Sequence, residues 1–191
     1  MAKKLRREAT LARYLYELGL LKRVRRSGWW LAGIREPESV AEHSFRAAAI
    51  AFFLAQMEGA DLAKALAMAL FHDSAEARLN DSHRLARSYL DWSGVEERVV
   101  LDQTRSIPAK LAAKLRGLLK EARAKNSLEA RIAKDADRLE CLLQAREYAE
   151  QGYPVHEWIQ SSLKELTTHS AKELAKALLK TRPSSWRPKA P

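Results

Sequence analysis

Apolar residues recur along this chain at helical spacing. Within residues 39–57 they return in alternating steps of three and four residues, which is the period of one helix face. Ser39 and Glu42 have the spacing of a capping box and predict that this helix begins after Ser39. The same period predicts further helices over residues 5–22, 61–79, 108–125, 127–151 and 154–180, with short helices between 83 and 105. No stretch reads as a strand pair, so the predicted fold is all-α.

The predicted helix over residues 127–151 has two apolar stripes on roughly opposite sides. Large residues such as Ile132 and Leu139 form one stripe, and small residues such as Ala130 and Ala133 form the other. A helix that is apolar on two faces is buried between other helices. We therefore expect this helix to lie at the centre of the bundle.

Length and proline content predict a single domain. The 191 residues fall in the size range of one domain, and neither a repeat nor a linker divides residues 1–180. Three prolines in residues 181–191 predict a frayed tail. The longest apolar run, residues 47–55, is far shorter than the ~20 residues of a membrane span. A single cysteine, and the lack of an apolar segment after the basic N-terminus, predict a cytoplasmic protein.

Positive charge is concentrated near the N-terminus. Residues 1–35 contain ten Lys or Arg and two Glu, which is +8 of the net +10. Such a segment favours an anionic partner, namely a nucleotide, a nucleic acid or an acidic lipid, although a solvated basic surface has the same pattern. A helical nucleic-acid-binding protein with a vestigial metal site is the less favoured alternative, because we find no helix-turn-helix signature.

Polar residues interrupt three of the predicted apolar stripes. His43 lies on the apolar stripe of the helix predicted over residues 39–57. Asp73 and Glu76 lie on the stripe of the helix predicted over 61–79, beside His72. Asp137 lies on the small-residue stripe of the helix predicted over 127–151. A buried carboxylate is costly unless it is paired, hydrogen-bonded or bound to a metal. Two His and two Asp can supply four ligands to one divalent cation. Mixed nitrogen and oxygen ligation suits Mn, Fe, Co, Ni or Zn rather than Ca.

Each of these residues alone also has a purely structural explanation. A lone histidine on an apolar face is more often a core residue that is hydrogen-bonded to a backbone carbonyl. Asp137 alone is equally explained as an ion-pair partner of Lys134 or Arg138. Only their occurrence together favours a site.

The combination resembles a known family. The segments SVAEHS at 39–44, LFHDSAE at 70–76 and KDADRL at 134–139 resemble the H…HD…D signature of HD-domain metal-dependent phosphohydrolases. Other segments resemble the branch that contains the HD-domain 5′-deoxynucleotidases, namely RSGW at 26–29, PESV at 37–40, MAL at 68–70 and LQAREY at 143–148. The likeness covers about residues 10–150.

The resemblance implies an HD-domain helical bundle with a metal site between its central helices. It implies one divalent transition metal (Co, Mn, Ni, Fe or Zn) and hydrolysis of (deoxy)nucleoside 5′-monophosphates to nucleoside and phosphate. Another nucleotide, such as a triphosphate, an alarmone or a cyclic nucleotide, is the alternative substrate. The metal ligands would be His43, His72, Asp73 and Asp137, and the catalytic residues Glu76 and Asp81, with the acid and base roles open.

The resemblance also implies that the loop between the helices predicted over residues 5–22 and 39–57 binds the substrate. Either Arg25 or Arg26 would hold the phosphate, because Gly28 stands where one sub-branch has the basic residue directly before the tryptophan. Trp29 would press on the sugar, and core packing is its structural alternative. A homodimer is expected from the family likeness and from the apolar residues in 85–105 and Trp158.

Overall fold

Ten α-helices and three short 3-10 helices form the part of the chain that the computed structural model describes, residues 2–92 and 94–187, with side chains from residue 8 onward. The α-helices are α1 (Ala2–Leu18), α2 (Val40–Glu58), α3 (Leu62–Phe71), α4 (Glu76–Leu79), α5 (Arg84–Arg87), α6 (Val95–Gln103), α7 (Ala109–Ala124), α8 (Leu128–Glu150), α9 (His156–Lys164) and α10 (His169–Lys180). The 3-10 helices are Gly19–Lys22, Ser27–Ala32 and Pro183–Trp186. The all-α prediction is confirmed, since these residues contain no strand and only an isolated bridge between Arg25 and Ser39.

The single domain over residues 1–180 and the frayed tail over 181–191 stay predictions. Residues 183–186 form the last 3-10 helix, whereas 188–191 lie outside the described residues. In the described part, no helix combines the length and the apolar character that crossing a membrane requires.

The start of α2 is set by the predicted capping box. The backbone N–H of Glu42 donates to Ser39 Oγ at 3.2 Å, and the backbone N–H of Ser39 donates to Glu42 Oε2 at 2.6 Å. These bonds satisfy backbone donors that the first helical turn leaves unpaired. The cap therefore fixes where α2 begins, one turn before His43.

Helix α8 lies at the centre of the bundle, as its two apolar stripes predict. It contacts α2, α3, α7, α9 and α10. Its large stripe enters the main core, where Leu54, Met68, Ile132, Leu139 and Leu142 have no exposed surface. Because α2 and α3 pack on the same central helix, residues far apart in sequence meet there.

Two predicted helices are shorter than expected. The predicted 61–79 helix ends at Phe71, so His72 and Asp73 lie in a turn before α4 instead of on a continuous stripe. The predicted 154–180 helix is divided into α9 and α10. At that break the buried carboxylate of Asp135 accepts hydrogen bonds from the backbone N–H groups of Thr167 and Thr168, at 2.9 and 2.7 Å. These bonds hold the two residues outside a helix.

Candidate metal centre and substrate cavity

Four potential ligand atoms converge where α2, the end of α3 and α8 meet. His43 Nε2 lies 3.3 Å from His72 Nε2, 3.7 Å from Asp73 Oδ2 and 3.3 Å from Asp137 Oδ1. His72 Nε2 lies 3.0 Å from Asp73 Oδ2 and 3.8 Å from Asp137 Oδ1. The fold thus brings together all four residues that the sequence singled out as ligands.

These separations fit a single bound cation. Nitrogen and oxygen ligands lie about 2.0–2.2 Å from a transition metal such as zinc, so neighbouring ligands around one ion are roughly 3.0–3.5 Å apart. The Nε2 atoms of His43 and His72 lie at or near that spacing from each other and from the oxygens of Asp73 and Asp137, and the ligand atoms of His43, His72 and Asp73 all lie within 4.8 Å of one another. Two imidazoles with two carboxylates also form the mixed donor set that transition metals prefer.

Both imidazole rings are held so that Nε2 faces this cluster. His72 Nδ1 donates to the carbonyl of Ala69 at 2.8 Å, because a carbonyl oxygen can only accept. His43 Nδ1 lies in hydrogen-bond contact with the carboxylate of Glu140, which has no exposed surface. Such partners fix the ring orientation and leave the other nitrogen free for a metal.

Glu140 is not among the site residues that the sequence predicts. The residue lies one turn after Asp137 on α8 and is surrounded in sequence by Leu139, Cys141 and Leu142. An acidic residue inside such an apolar run is the signal that could have identified it, since it must be partnered when buried.

Charge in the cluster keeps its carboxylates ionised. Burial by itself raises the pKa of Asp73, but His72 and Arg26 outweigh that effect and hold this pKa well below its ordinary value. The pKa of Asp137 is likewise well below its ordinary value, because Lys134 and the histidines overcome the effect of burial. Both carboxylates therefore have the charge that a metal ligand needs.

His43 responds to the same charges in the opposite direction. Burial and Arg26 lower its pKa, yet the Glu140 and Asp137 carboxylates raise it to about 10 in the metal-free protein. A proton and a cation compete for Nε2, so metal binding at this site releases a proton.

Glu76, at the start of α4, is expected to keep its carboxyl proton at neutral pH in the metal-free protein. Burial, followed by the nearby carboxylates of Asp73 and Asp81, raises its pKa to about 10. Its Oε2 is buried and has no hydrogen-bond partner among the described residues. This oxygen is therefore a buried polar atom beside the cavity for which the described residues supply no partner.

The cluster lies in the wall of a cavity of about 1260 Å³. This volume exceeds that of typical small-molecule sites, about 300–1000 Å³. The lining combines the predicted site residues with side chains of α8 and α9, and includes Arg26, Trp29, His72, Asp73, Glu76, Asp81, Lys134, Asp137, Arg138 and Trp158.

Arg25 and Arg26 point to different places. The Arg26 guanidinium lines the cavity, and its Nη1 lies 3.5 Å from Asp73 Oδ2 with the side chain 18% exposed. Arg25 instead donates to the Pro37 carbonyl at 3.0 Å and pairs with Glu36 at 3.5 Å. The geometry places Arg26, and not Arg25, beside the ligand cluster.

Asp81 joins two loops of the cavity wall. Its carboxylate accepts a hydrogen bond from the backbone N–H of Ser27, and its backbone carbonyl accepts from Ser27 Oγ at 3.0 Å. Asp81 thus holds the loop that carries Arg26. It also lines the cavity, and the catalytic role that the family likeness implies for it stays a prediction.

Trp29 occupies the core and does not offer an open face. It is 2% exposed, stacks on Trp158 at a centroid distance of 5.6 Å, and contacts Tyr148 edge to face at 5.1 Å. Its Nε1 donates to Glu38 Oε1 at 3.0 Å. The expected contact between the tryptophan face and a sugar is therefore replaced by the core packing that was its alternative, because Trp158 covers the ring.

Known proteins are similar to this chain in sequence and in fold. The HD-domain family model matches residues 18–180. The 5′-deoxynucleotidase HDDC2 of Bos taurus is 33% identical over 141 residues, which are 72% of this chain and 67% of that protein. A conserved hypothetical protein from Pyrococcus furiosus is 29% identical with a TM-score of 0.76, over 89% of this chain and 99% of the other.

The name of a second solved structure that is similar to this chain states a chemical activity. The "predicted metal-dependent phosphohydrolase" of Magnetospirillum magnetotacticum is 25% identical with a TM-score of 0.74, over 92% of both chains. The chain therefore belongs to the HD-domain metal-dependent phosphohydrolases, in the branch of the 5′-deoxynucleotidases.

Proposed function

We propose that this protein hydrolyses (deoxy)nucleoside 5′-monophosphates to nucleoside and phosphate, and that it does so in the cytoplasm. The observation that carries the proposal is the cavity wall itself. There a cluster of two histidines and two aspartates lies beside the cation Arg26 and the protonated carboxyl group of Glu76. Relatives named 5′-deoxynucleotidase support the choice of substrate.

His43, His72, Asp73 and Asp137 would hold one divalent transition metal, for which Co, Mn, Ni, Fe and Zn are the candidates. Such a cation, when bound, lowers the pKa of water and polarises a phosphoryl oxygen.

Arg26 would bind the phosphate of the substrate. A guanidinium group can hold two non-bridging oxygens at once. At 3.5 Å its contact with Asp73 is a long one, so a phosphate can compete for the N–H groups. Asp81 would act by holding the Arg26 loop through Ser27.

Glu76 would donate its proton to the leaving 5′-oxygen. An alkoxide is a poor leaving group, and a positioned acid accelerates its departure by about 10²–10⁴-fold. The raised pKa of Glu76 in the metal-free protein, caused by burial and by Asp73 and Asp81, favours this role. Of the two roles that the sequence leaves open for Glu76, the acid therefore has the better support.

The proposal is tested by measuring phosphate release from a panel of ribo- and deoxyribonucleoside 5′-monophosphates with each candidate metal. Nucleoside triphosphates, cyclic nucleotides and an aryl phosphate complete the panel, and their products are separated by chromatography, because opening a cyclic nucleotide or removing an intact triphosphate releases no inorganic phosphate. We expect the largest kcat/KM on 5′-monophosphates and no phosphate release after chelation. A preference for triphosphates or cyclic nucleotides would contradict the proposal.

Arg26→Ala and Arg25→Ala form a matched pair for the same assay. Because only Arg26 lies beside the cluster, Arg26→Ala should raise KM for the monophosphate by about 10-fold or more, whereas Arg25→Ala should leave it near the wild-type value. Equal KM values for the two variants would show that Arg26 does not bind the phosphate of the substrate.

We also propose that the protein is a homodimer. Large apolar side chains that are exposed in the described part of the chain include Phe45, Phe53 and Met57 on α2, at 74%, 62% and 59% exposure, and Tyr89 at 81%. Trp158, which the sequence had suggested as an interface residue, is instead stacked on Trp29.

Light scattering at micromolar concentration should give about twice the monomer mass of 21.6 kDa. Phe53→Ser should shift the mass towards the monomer, because it removes an exposed apolar side chain, whereas the polar surface change Lys176→Ser on α10 should not. A wild-type mass of 21.6 kDa would refute the dimer.

A further inference from the structure

An ion pair between the buried Glu140 and the partly exposed Arg46 lies directly behind His43. One oxygen of the Glu140 carboxylate contacts His43 Nδ1, and the other accepts from Arg46 Nε at 3.0 Å and Nη2 at 2.8 Å. Glu140 and His43 are both fully buried. A carboxylate held at one oxygen by two N–H groups presents its second oxygen to the imidazole in a fixed direction.

Arg46 is itself anchored by a second turn of α8. Its Nη1 donates to Glu147 at 2.7 Å and its Nη2 to Gln144 at 2.8 Å. Both acceptors belong to the 143–148 segment that resembles the deoxynucleotidase branch, and the hydrolytic reaction leaves their role unexplained. The network connects α2 to α8 through side chains that lie outside the cavity lining.

We propose that Glu140 is a positioning residue for the metal: together with Arg46, it holds the His43 ring so that Nε2 faces Asp73 and Asp137. This inference rests on the proposed metal centre. A carboxylate that accepts the Nδ1 proton fixes the tautomer and the rotation of the ring, and it makes Nε2 a stronger ligand. His72 has only a backbone carbonyl in the equivalent place, so Glu140 supplies this charge to one of the two histidines.

Glu140→Gln tests the proposal through metal affinity. The amide keeps the size of the side chain but removes the charge, so we expect the affinity for Co²⁺ or Zn²⁺ to fall about 10–100-fold, the usual effect of losing such a partner. Affinity is measured by competition with a chromophoric chelator, and the visible spectrum of the Co²⁺ protein reports the ligand geometry. At saturating metal the variant should regain most of its kcat.

Asp135→Asn is the matched control. Asp135 is also a fully buried carboxylate of α8, but its partners are Thr167 and Thr168. The control should lower the melting temperature and leave metal affinity unchanged, which separates a loss of stability from a loss of ligand positioning.

The possible results are distinguishable. If the wild type binds no metal, the metal centre itself is wrong. If the wild type binds metal and folded Glu140→Gln binds it equally well, with the same Co²⁺ spectrum, the positioning role is overturned. If Glu140→Gln does not fold, Glu140→Asp decides by the same assay, because it keeps the charge and withdraws the oxygen from His43; an unchanged affinity in that variant also overturns the proposal.

Discussion

Asp73→Ala should lower kcat/KM for a deoxynucleoside 5′-monophosphate by at least about 10³-fold and still give a folded protein. Asp73 lies 3.0 Å from His72 Nε2 and 3.7 Å from His43 Nε2, so the change removes one proposed ligand and the carboxylate that faces Arg26. The main core does not depend on this residue, since it consists of apolar side chains between α2, α3 and α8.

The fold of Asp73→Ala is checked by circular dichroism and its activity by phosphate release. Ionised Asp73 stabilises the metal-free protein above its ordinary pKa of 3.8, because its pKa is lowered in the folded state. The variant should therefore melt somewhat earlier than the wild type at neutral pH, and this difference should disappear in acid. Asp102→Ala removes an exposed carboxylate of α6 and should leave both activity and melting temperature near wild type. If Asp73→Ala fails to fold with metal present, Asp73 is needed for folding before it is needed for catalysis.

Glu76→Gln should lower kcat by about 10²–10⁴-fold without loss of stability. Glutamine resembles the protonated carboxyl group in shape and charge, but its amide cannot supply an acidic proton to the leaving oxygen. The effect should fall mainly on kcat rather than on KM, because the proton is needed as the ester bond breaks.

The stability of this variant has a defined pH dependence. Burial and the carboxylates of Asp73 and Asp81 raise the pKa of Glu76 from 4.5 to about 10, so between these values the folded protein keeps a proton that the unfolded chain loses. The contribution of Glu76 to the free energy of unfolding of the wild type is therefore largest below about pH 4.5, and it falls as pH rises towards 10. Glutamine does not titrate, so metal-free Glu76→Gln lacks this pH-dependent contribution. As pH increases, the melting temperature of the variant should therefore rise relative to that of the wild type. A kcat of the variant near that of the wild type would rule out the acid role. If the melting temperatures of the two proteins change with pH in the same way, Glu76 does not keep its proton in the folded state.

Local patterns in the sequence were enough to predict much of this molecule. The capping box before α2 and the two apolar stripes of α8 depend on residues three or four positions apart, so they can be seen without a fold. The four ligands were predictable because charged or polar residues on apolar stripes must find partners when the helices pack. The family signature then supplied the order His43, His72, Asp73 and Asp137.

Tertiary structure alone decided contacts between residues that are distant in sequence. Glu140 meets His43 across 97 positions, and Asp135 divides α9 from α10 by accepting backbone N–H groups 32 and 33 positions away. No periodicity within one helix carries that information, because it depends on which faces of two helices come together.

The substrate loop illustrates the same limit. Arg25 and Arg26 are adjacent and chemically identical, so composition and spacing cannot distinguish them. The backbone path, fixed by the contact of Ser27 with Asp81, directs Arg26 into the cavity and Arg25 towards Pro37. The sequence by itself determined the all-α fold class and the candidate ligands, because those follow from local period and from the need of buried polar residues for partners. Side-chain direction in the loop was decided by tertiary structure, because it follows from the packing of segments that meet only in the folded chain.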